Sequence, residues 1–198
     1  MTTADPTIAD EDVRLPAADA VILVRHGRTV LNQQDRLRGH LDPELDLEGH
    51  REVRRLGQRL AACNIRTIIS SPLLRARQTA AAIDQLHQRG VSSDGRLIDR
   101  DYGEFAGARQ EDVVARFGSL DAAPGVEPIA DVVARSAELL DGLIPGLRTG
   151  LAVLVSHDAV NTALLTHLGA DVPQQHTACW NLILREEDHW RVAAVDQR

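Results

Sequence analysis

The sequence predicts a single-domain α/β protein, a three-layer α/β/α sandwich built on a mostly parallel central sheet. Two observations carry that prediction. Residues 20–24 and 151–155 are short, continuous apolar runs rich in Val, as strands buried on both faces are, and 65–69 reads as a further short apolar strand. Segments of helical period alternate with them, and strand–helix alternation implies parallel strands covered by helices. The size agrees: 198 residues, 43% of them apolar, suffice for one core without disulfide staples.

The elements follow in order. Residues 1–19 are acidic and lack a basic-then-apolar pattern, so they read as a flexible lead-in to a domain spanning 20–198, and not as a targeting segment. No apolar run has the length of a membrane span, which makes the cytoplasm the expected location. After the first strand, Asp46 is placed to cap a helix reaching about Cys63, with Val53, Leu56 and Leu60 on one face. The second strand leads to Ser71-Pro72, an N-cap and first helical position for a helix through 73–87. Periodicity weakens over 92–128, where 113–117 reads as a short helix. Residues 129–143 are helical in pattern, and the third strand is followed by a helix over 158–168. Residues 182–184 and 192–195 read as two final strands joined by a polar turn.

Composition narrows the chemistry. All 22 basic residues are Arg, so a Schiff-base lysine, a lysine general base and a P-loop lysine are excluded. Cys63 and Cys179 stand far apart, in no metal-ligand spacing. The net charge of -7 argues against nucleic acid as a partner.

Three predicted strands end in chemically capable residues: Arg25-His26-Gly27, Ser70-Ser71-Pro72 with Arg75 one helical turn on, and Ser156-His157-Asp158. Ligands of open α/β sheets bind beyond the carboxyl ends of the strands. If the three strands are parallel neighbours, two imidazoles and two guanidiniums converge on one cleft, a combination suited to a phosphoryl dianion. His157-Asp158 is also compatible with a metal-binding dipeptide, but the remaining His (40, 50, 87, 167, 176 and 189) are scattered and supply no second ligand set.

Arg25-His26-Gly27-Arg28-Thr29, with Asn32 and Arg36-Leu37-Arg38-Gly39 after it, resembles the opening motif of the histidine phosphatase (phosphoglycerate mutase-like) superfamily, in its branch of small bacterial phosphatases. The run from Ser71 to Ala80 resembles that family's second motif, and Ser156-His157-Asp158-Ala159-Val160 its third. The stretch from Leu97 to Glu104 matches the segment carrying its acid. The resemblance implies a metal-independent phosphatase, needing no cofactor, that hydrolyses a small phosphate monoester through a phosphohistidine on His26. It implies catalytic roles for His26, Asp99 and His157, and phosphate contacts from Arg25, Asn32, Arg75 and His157. Asp101 and Glu104 remain nearby alternatives to Asp99 as proton donor.

Two features depart from the family pattern: the acid position holds Asp where Glu is more usual, and Arg28 and Arg38 stand where Glu or Gln is commoner. A phosphoglycerate-type mutase is the second reading. It is disfavoured by the compact interval between Asp99 and His157, whose Arg100, Arg109, Arg116, Arg135 and Arg148 are separated in sequence. A non-catalytic phospho-ligand binder is the third. The partner expected is a small phosphorylated metabolite, with no nucleic acid and no membrane, and a homodimer through an edge strand is compatible with the sequence. Tyr102, Phe105 and Phe117 serve either core packing or a wall for the leaving group.

Overall fold

The computed structural model describes residues 15–17, 19–148, 150–172 and 174–198. Its strands are β1 (Ala20–Arg25), β2 (Ile65–Ser70), β3 (Val91–Ser93), β4 (Leu151–Ser156), β5 (Trp180–Glu186) and β6 (His189–Gln197). Its helices are α1 (Val30–Gln33), α2 (Leu47–Leu60), α3 (Leu74–Asp84), α4 (Gln110–Phe117), α5 (Ile129–Gly142), α6 (Ile144–Leu147) and α7 (Asp158–His167). One sheet runs β3-β2-β4-β1-β5-β6. The first four of these are parallel, whereas β5 lies antiparallel to β1 and β6 to β5.

Strand β1 shows why the sheet sits at the centre of three layers. Its alternate residues enter opposite cores, because successive strand side chains point to opposite faces. Ile22 and Val24 join Val53, Leu56 and Leu60 of α2 and Ala76, Ala80 and Ile83 of α3. Val21 and Leu23 join Leu139 and Leu140 of α5 and Leu164 and Leu165 of α7. Every residue of β1 and β4 is buried, hence the unbroken apolar runs. Among the described residues no helix is long and apolar enough to cross a membrane.

Helix α2 begins as its sequence indicates, with Asp46 Oδ1 accepting from Gly49 N at 2.7 Å. Helix α3 does not. It starts at Leu74, two residues after the expected position at Pro72, and Ser71 is not its N-cap. Its first amide is satisfied from a distance, Leu74 N donating to Asp42 Oδ1 at 2.6 Å. The helix also ends early, at Asp84, whose carboxylate accepts from Arg89 N and Gly90 N and turns the chain into β3. Strand β3 escapes a sequence reading because it is three exposed residues long. The last two strands are longer than their apolar centres, meeting at a turn through Glu187-Asp188.

Of the expected lead-in, residues 1–14 and 18 lie outside the described residues. Leu15 packs against the core that holds α2 and α3. Asp19 N donates to Leu147 O at 3.0 Å, and its carbonyl accepts from Arg185 N at 2.9 Å.

Candidate active site

Strands β2, β4 and β1 are parallel neighbours with β4 in the middle. Their carboxyl ends therefore deliver Ser70-Ser71, Ser156-His157 and Arg25-His26 to one place. The backbone there is pinned: His26 N donates to Ser156 O at 3.0 Å and Ser71 N to Val155 O at 2.9 Å. Gly27 N donates to Thr79 Oγ1 at 3.1 Å, and that hydroxyl donates to Arg75 O at 2.8 Å. Thr79 thus ties the loop after β1 to the first turns of α3. Gly27 itself abuts α2, since a Cβ there would lie 2.7 Å from Val53 Cγ1 and 2.9 Å from Gly49 O.

The His26 ring is wholly buried and its two nitrogens have distinct surroundings. Nδ1 lies 2.7 Å from Gly27 O, which only accepts, so Nδ1 carries the proton and Nε2 keeps a lone pair. Arg75 Nε donates to that Nε2 at 3.3 Å. Burial, and then the positive charges of Arg75, Arg25 and Arg38, hold the His26 pKa well below the ordinary 6.5. The ring is therefore neutral at pH 7, the form in which an imidazole nitrogen has a lone pair to offer.

Arg75 is fully buried and joins several segments. Nη1 donates to Leu41 O at 2.7 Å; Nη2 donates to Gly39 O at 3.0 Å and to Asp99 Oδ2 at 2.9 Å. Burial lowers its pKa and Asp99 raises it back, and a guanidinium stays charged throughout. Asp99 is 1% exposed, its other oxygen accepting from Arg100 N at 2.9 Å.

His157 lies against His26 with ring centroids 5.1 Å apart. Its Nε2 is 2.8 Å from Ser71 Oγ, while Nδ1 is buried without a hydrogen-bond partner, 3.8 Å from Asp99 Oδ2. Burial first, then Arg75, pushes its pKa well below 6.5. Arg25 donates through Nη1 to Gln175 O and lies 3.7 Å from Asp158 Oδ1, leaving its Nε buried and unpartnered.

His26, Arg75, Asp99, His157 and Arg25 thus form one cluster. Asn32 stands apart at the cleft wall, its Oδ1 engaged by Thr29 N and Thr29 Oγ1 at 3.0 and 2.8 Å in the capping box of α1. Of the other carboxylates weighed as proton donor, Asp101 is half-exposed beside His40 and Glu104 is exposed. Tyr102, Phe105 and Val113 fill a small core with Leu37, against which Phe117 packs. Sequence reasoning did not single out Ser71 as a partner of His157, nor Thr79 or Gln175. Thr79 lies inside the quoted second motif; Gln175 carries no local signal.

A family model described as histidine phosphatase superfamily (branch 1) matches residues 21–197. The chain belongs to that family. This histidine phosphatase domain is 32% identical over 179 residues to an uncharacterized phosphatase, PhoE, of Bacillus subtilis, covering 87% of this chain and 92% of that one. It is 34% identical over 172 residues to a 2,3-bisphosphoglycerate-dependent phosphoglycerate mutase of Brucella anthropi, covering 78% and 84%. A mycobacterial glucosyl-3-phosphoglycerate phosphatase solved with VO3 superposes with a TM-score of 0.84 at 25% identity, over 91% of this chain and all of that one. The relatives include both phosphatases and mutases.

Proposed function

We propose that the domain hydrolyses a small phosphate monoester without a metal, through a phosphohistidine on His26. The observation that carries this reading is a set of buried nitrogens without partners (Arg25 Nε, Arg38 Nε and His157 Nδ1) around an imidazole held neutral. Buried polar atoms in folded proteins are otherwise almost always hydrogen-bonded, and an anion supplies acceptors for several donors at once.

In the first step the Nε2 lone pair of His26 attacks phosphorus and the P–O bond to the leaving group breaks. Asp99, which takes up a proton from solvent when the phosphoryl dianion binds beside it and competes for Arg75, gives that proton to the departing alkoxide oxygen. In the second step a water oxygen attacks phosphorus, its proton returns to Asp99, and the P–N bond breaks to release phosphate. Arg75, Arg25 and His157 hold the three non-bridging oxygens as charge spreads over them, each donor worth about 10²–10³ in rate. Asn32, from the cleft wall, assists in holding the phosphoryl group.

The test is phosphate release from a panel of small monoesters in EDTA, with wild type and His26→Ala side by side. The reading expects turnover that disappears in the variant. Turnover that requires added metal, or that survives His26→Ala, overturns it. Similarity to the Brucella mutase favours a second reading, isomerisation of a phosphoglycerate; phosphate that moves within phosphoglycerate without release to water would establish that instead.

A further inference from the structure

Residues 98–102, which carry Asp99, form neither helix nor strand. Buried main-chain groups outside regular structure still need partners, so side chains must supply them. Around Asp99 much of that supply comes from one guanidinium. Arg135, on α5, donates through Nη1 to Arg96 O and to Ile98 O, both at 2.7 Å, and its Nη2 reaches Asp99 O at 3.5 Å. His40 Nε2 lies 3.1 Å from the same Asp99 carbonyl, and Ser156 Oγ, at the end of β4, donates to Leu97 O at 3.0 Å.

Arg135 is itself fixed by a carboxylate. Its Nε and Nη2 donate to the two oxygens of Glu127 at 2.9 and 3.1 Å, a bidentate pairing that sets the plane of the guanidinium. Glu127 in turn grips the next stretch of the acid segment. Its Oε2 accepts from Asp101 N at 3.1 Å, its backbone N donates to Asp101 O at 2.8 Å, and its carbonyl accepts from Arg100 Nε at 2.7 Å. Asp99 is thus suspended between residues held by Arg135 and residues held by Glu127. The helix behind them is firmly seated, since Leu139 and Leu140 of α5 lie in the core with Val21 and Leu23 of β1. Both clamp residues act on the main chain and leave the carboxyl to others: Asp99 Oδ2 is held by Arg75 and Oδ1 by Arg100 N.

We infer that Arg135 and Glu127 are positioning residues for proton transfer, a clamp that holds the main chain of Asp99 so that its carboxyl meets the leaving-group oxygen. The inference rests on the phosphatase reading, in which Asp99 is the acid. A proton donor must come within hydrogen-bond reach of the oxygen it serves, and a displacement of about 1 Å costs about 10²-fold in rate. Having Asp at this position tightens the demand. With one methylene fewer than Glu, the side chain has less reach to make up for a shifted main chain, so the anchoring of the backbone matters more.

The test compares kcat/KM for propyl phosphate and 4-nitrophenyl phosphate, whose leaving groups differ in their need for a proton. This constant covers the steps up to departure of the leaving group, so the later attack of water does not enter. In Arg135→Met the aryl-to-alkyl ratio is expected to rise about tenfold to hundredfold over wild type. Arg135→Lys, which keeps donors for the carbonyls, is expected to show a smaller rise. In an Asp99→Asn background Arg135→Met is expected to leave the ratio within about twofold, because no acid remains to be positioned. Should Arg135→Met fail to fold, Glu127→Gln, at a side chain 20% exposed, carries the same pair of comparisons. A merely structural role lowers both esters alike. An unmoved ratio, a rise as large in Arg135→Lys as in Arg135→Met, or a rise that persists in the Asp99→Asn background overturns the inference and leaves the phosphatase reading standing. Absence of phosphate release from both esters in the wild type overturns that reading, and the inference with it.

Discussion

Nη2 of Arg75 and Oδ2 of Asp99 form an ion pair at 2.9 Å with both side chains essentially sealed from solvent. Removing one partner strands the other charge, which costs about 3–5 kcal/mol, whereas replacing both by apolar groups costs far less. Arg75→Met is therefore expected to lower the unfolding free energy by about that amount, and Arg75→Met/Asp99→Leu to regain most of it. Urea denaturation of the three proteins decides it: a double variant no more stable than Arg75→Met refutes the coupling. Both variants should be inactive.

Asp99→Asn should slow alkyl phosphates about 10²–10⁴-fold and aryl phosphates much less, because phenolate leaves without a proton. Asp101→Asn and Glu104→Gln should change either rate little, given their places outside the cluster. Comparing a matched alkyl and aryl ester in each variant is the check, and an equal loss on both esters would remove Asp99 from the acid role.

Acid should unfold the protein through its two buried imidazoles. Both have folded pKa values well below the unfolded value near 6.5, so below pH 6.5 the unfolded chain binds protons that the folded one does not. The stability these rings contribute is complete above 6.5 and declines as pH falls beneath it, by about 1.4 kcal/mol per pH unit for each ring. Urea midpoints between pH 7.5 and 5.5 should drop accordingly, with a shallower slope in His26→Gln. A flat profile would mean the rings are not buried in the neutral form.

Two helical glycines should respond oppositely to alanine. A Cβ on Gly49 would lie 2.1 Å from Arg28 O and 2.9 Å from Arg28 N, so the loop after His26 must move, at about 1–3 kcal/mol. Gly142, in the last turn of α5, meets nothing within 4 Å, and Ala there should stabilise by up to about 1 kcal/mol. Thermal melts of the pair make the comparison, and Gly49→Ala should also lose activity. A Gly49→Ala protein as stable and active as wild type would contradict the close packing of α2 on that loop.

The parts of the fold legible in the sequence are those where burial on both faces leaves no choice of residue. Strands β1 and β4 are apolar runs because helices cover both sides, as they do the later half of β2, and the polar ends of all three stand out for the same reason. What was illegible depends on partners distant in the chain. Helix α3 starts where Asp42 meets Leu74 N, and the hydroxyl of Ser71, which reads locally as the cap of a helix from Pro72, accepts from Leu73 N before that helix begins and faces His157. Gln175 reaches the site only because the segment before β5 folds back on β1. The meeting of Arg36 with Arg109 across 73 positions has no local signature either, since Arg36 is read as part of the opening motif and Arg109 as one of several separated arginines.

The order of strands in the sheet also bears on how the protein is made. β4 fills the gap between β2 and β1, yet it is the last of the parallel strands to be synthesised. Until residue 156 has left the ribosome, β1 and β2 have no common neighbour, and the ties between the His26 loop and α3, such as Gly27 N to Thr79 Oγ1, lack the strand that fixes the spacing of the sheet. Contacts of this sequence separation form slowly. A nascent chain stalled before β4 holds two apolar strands with open edges, the state most prone to wrong pairing and most in need of a chaperone. His157 follows β4 directly, so the cluster around His26 cannot be complete before that strand is made, and activity in a translation extract is expected only after it.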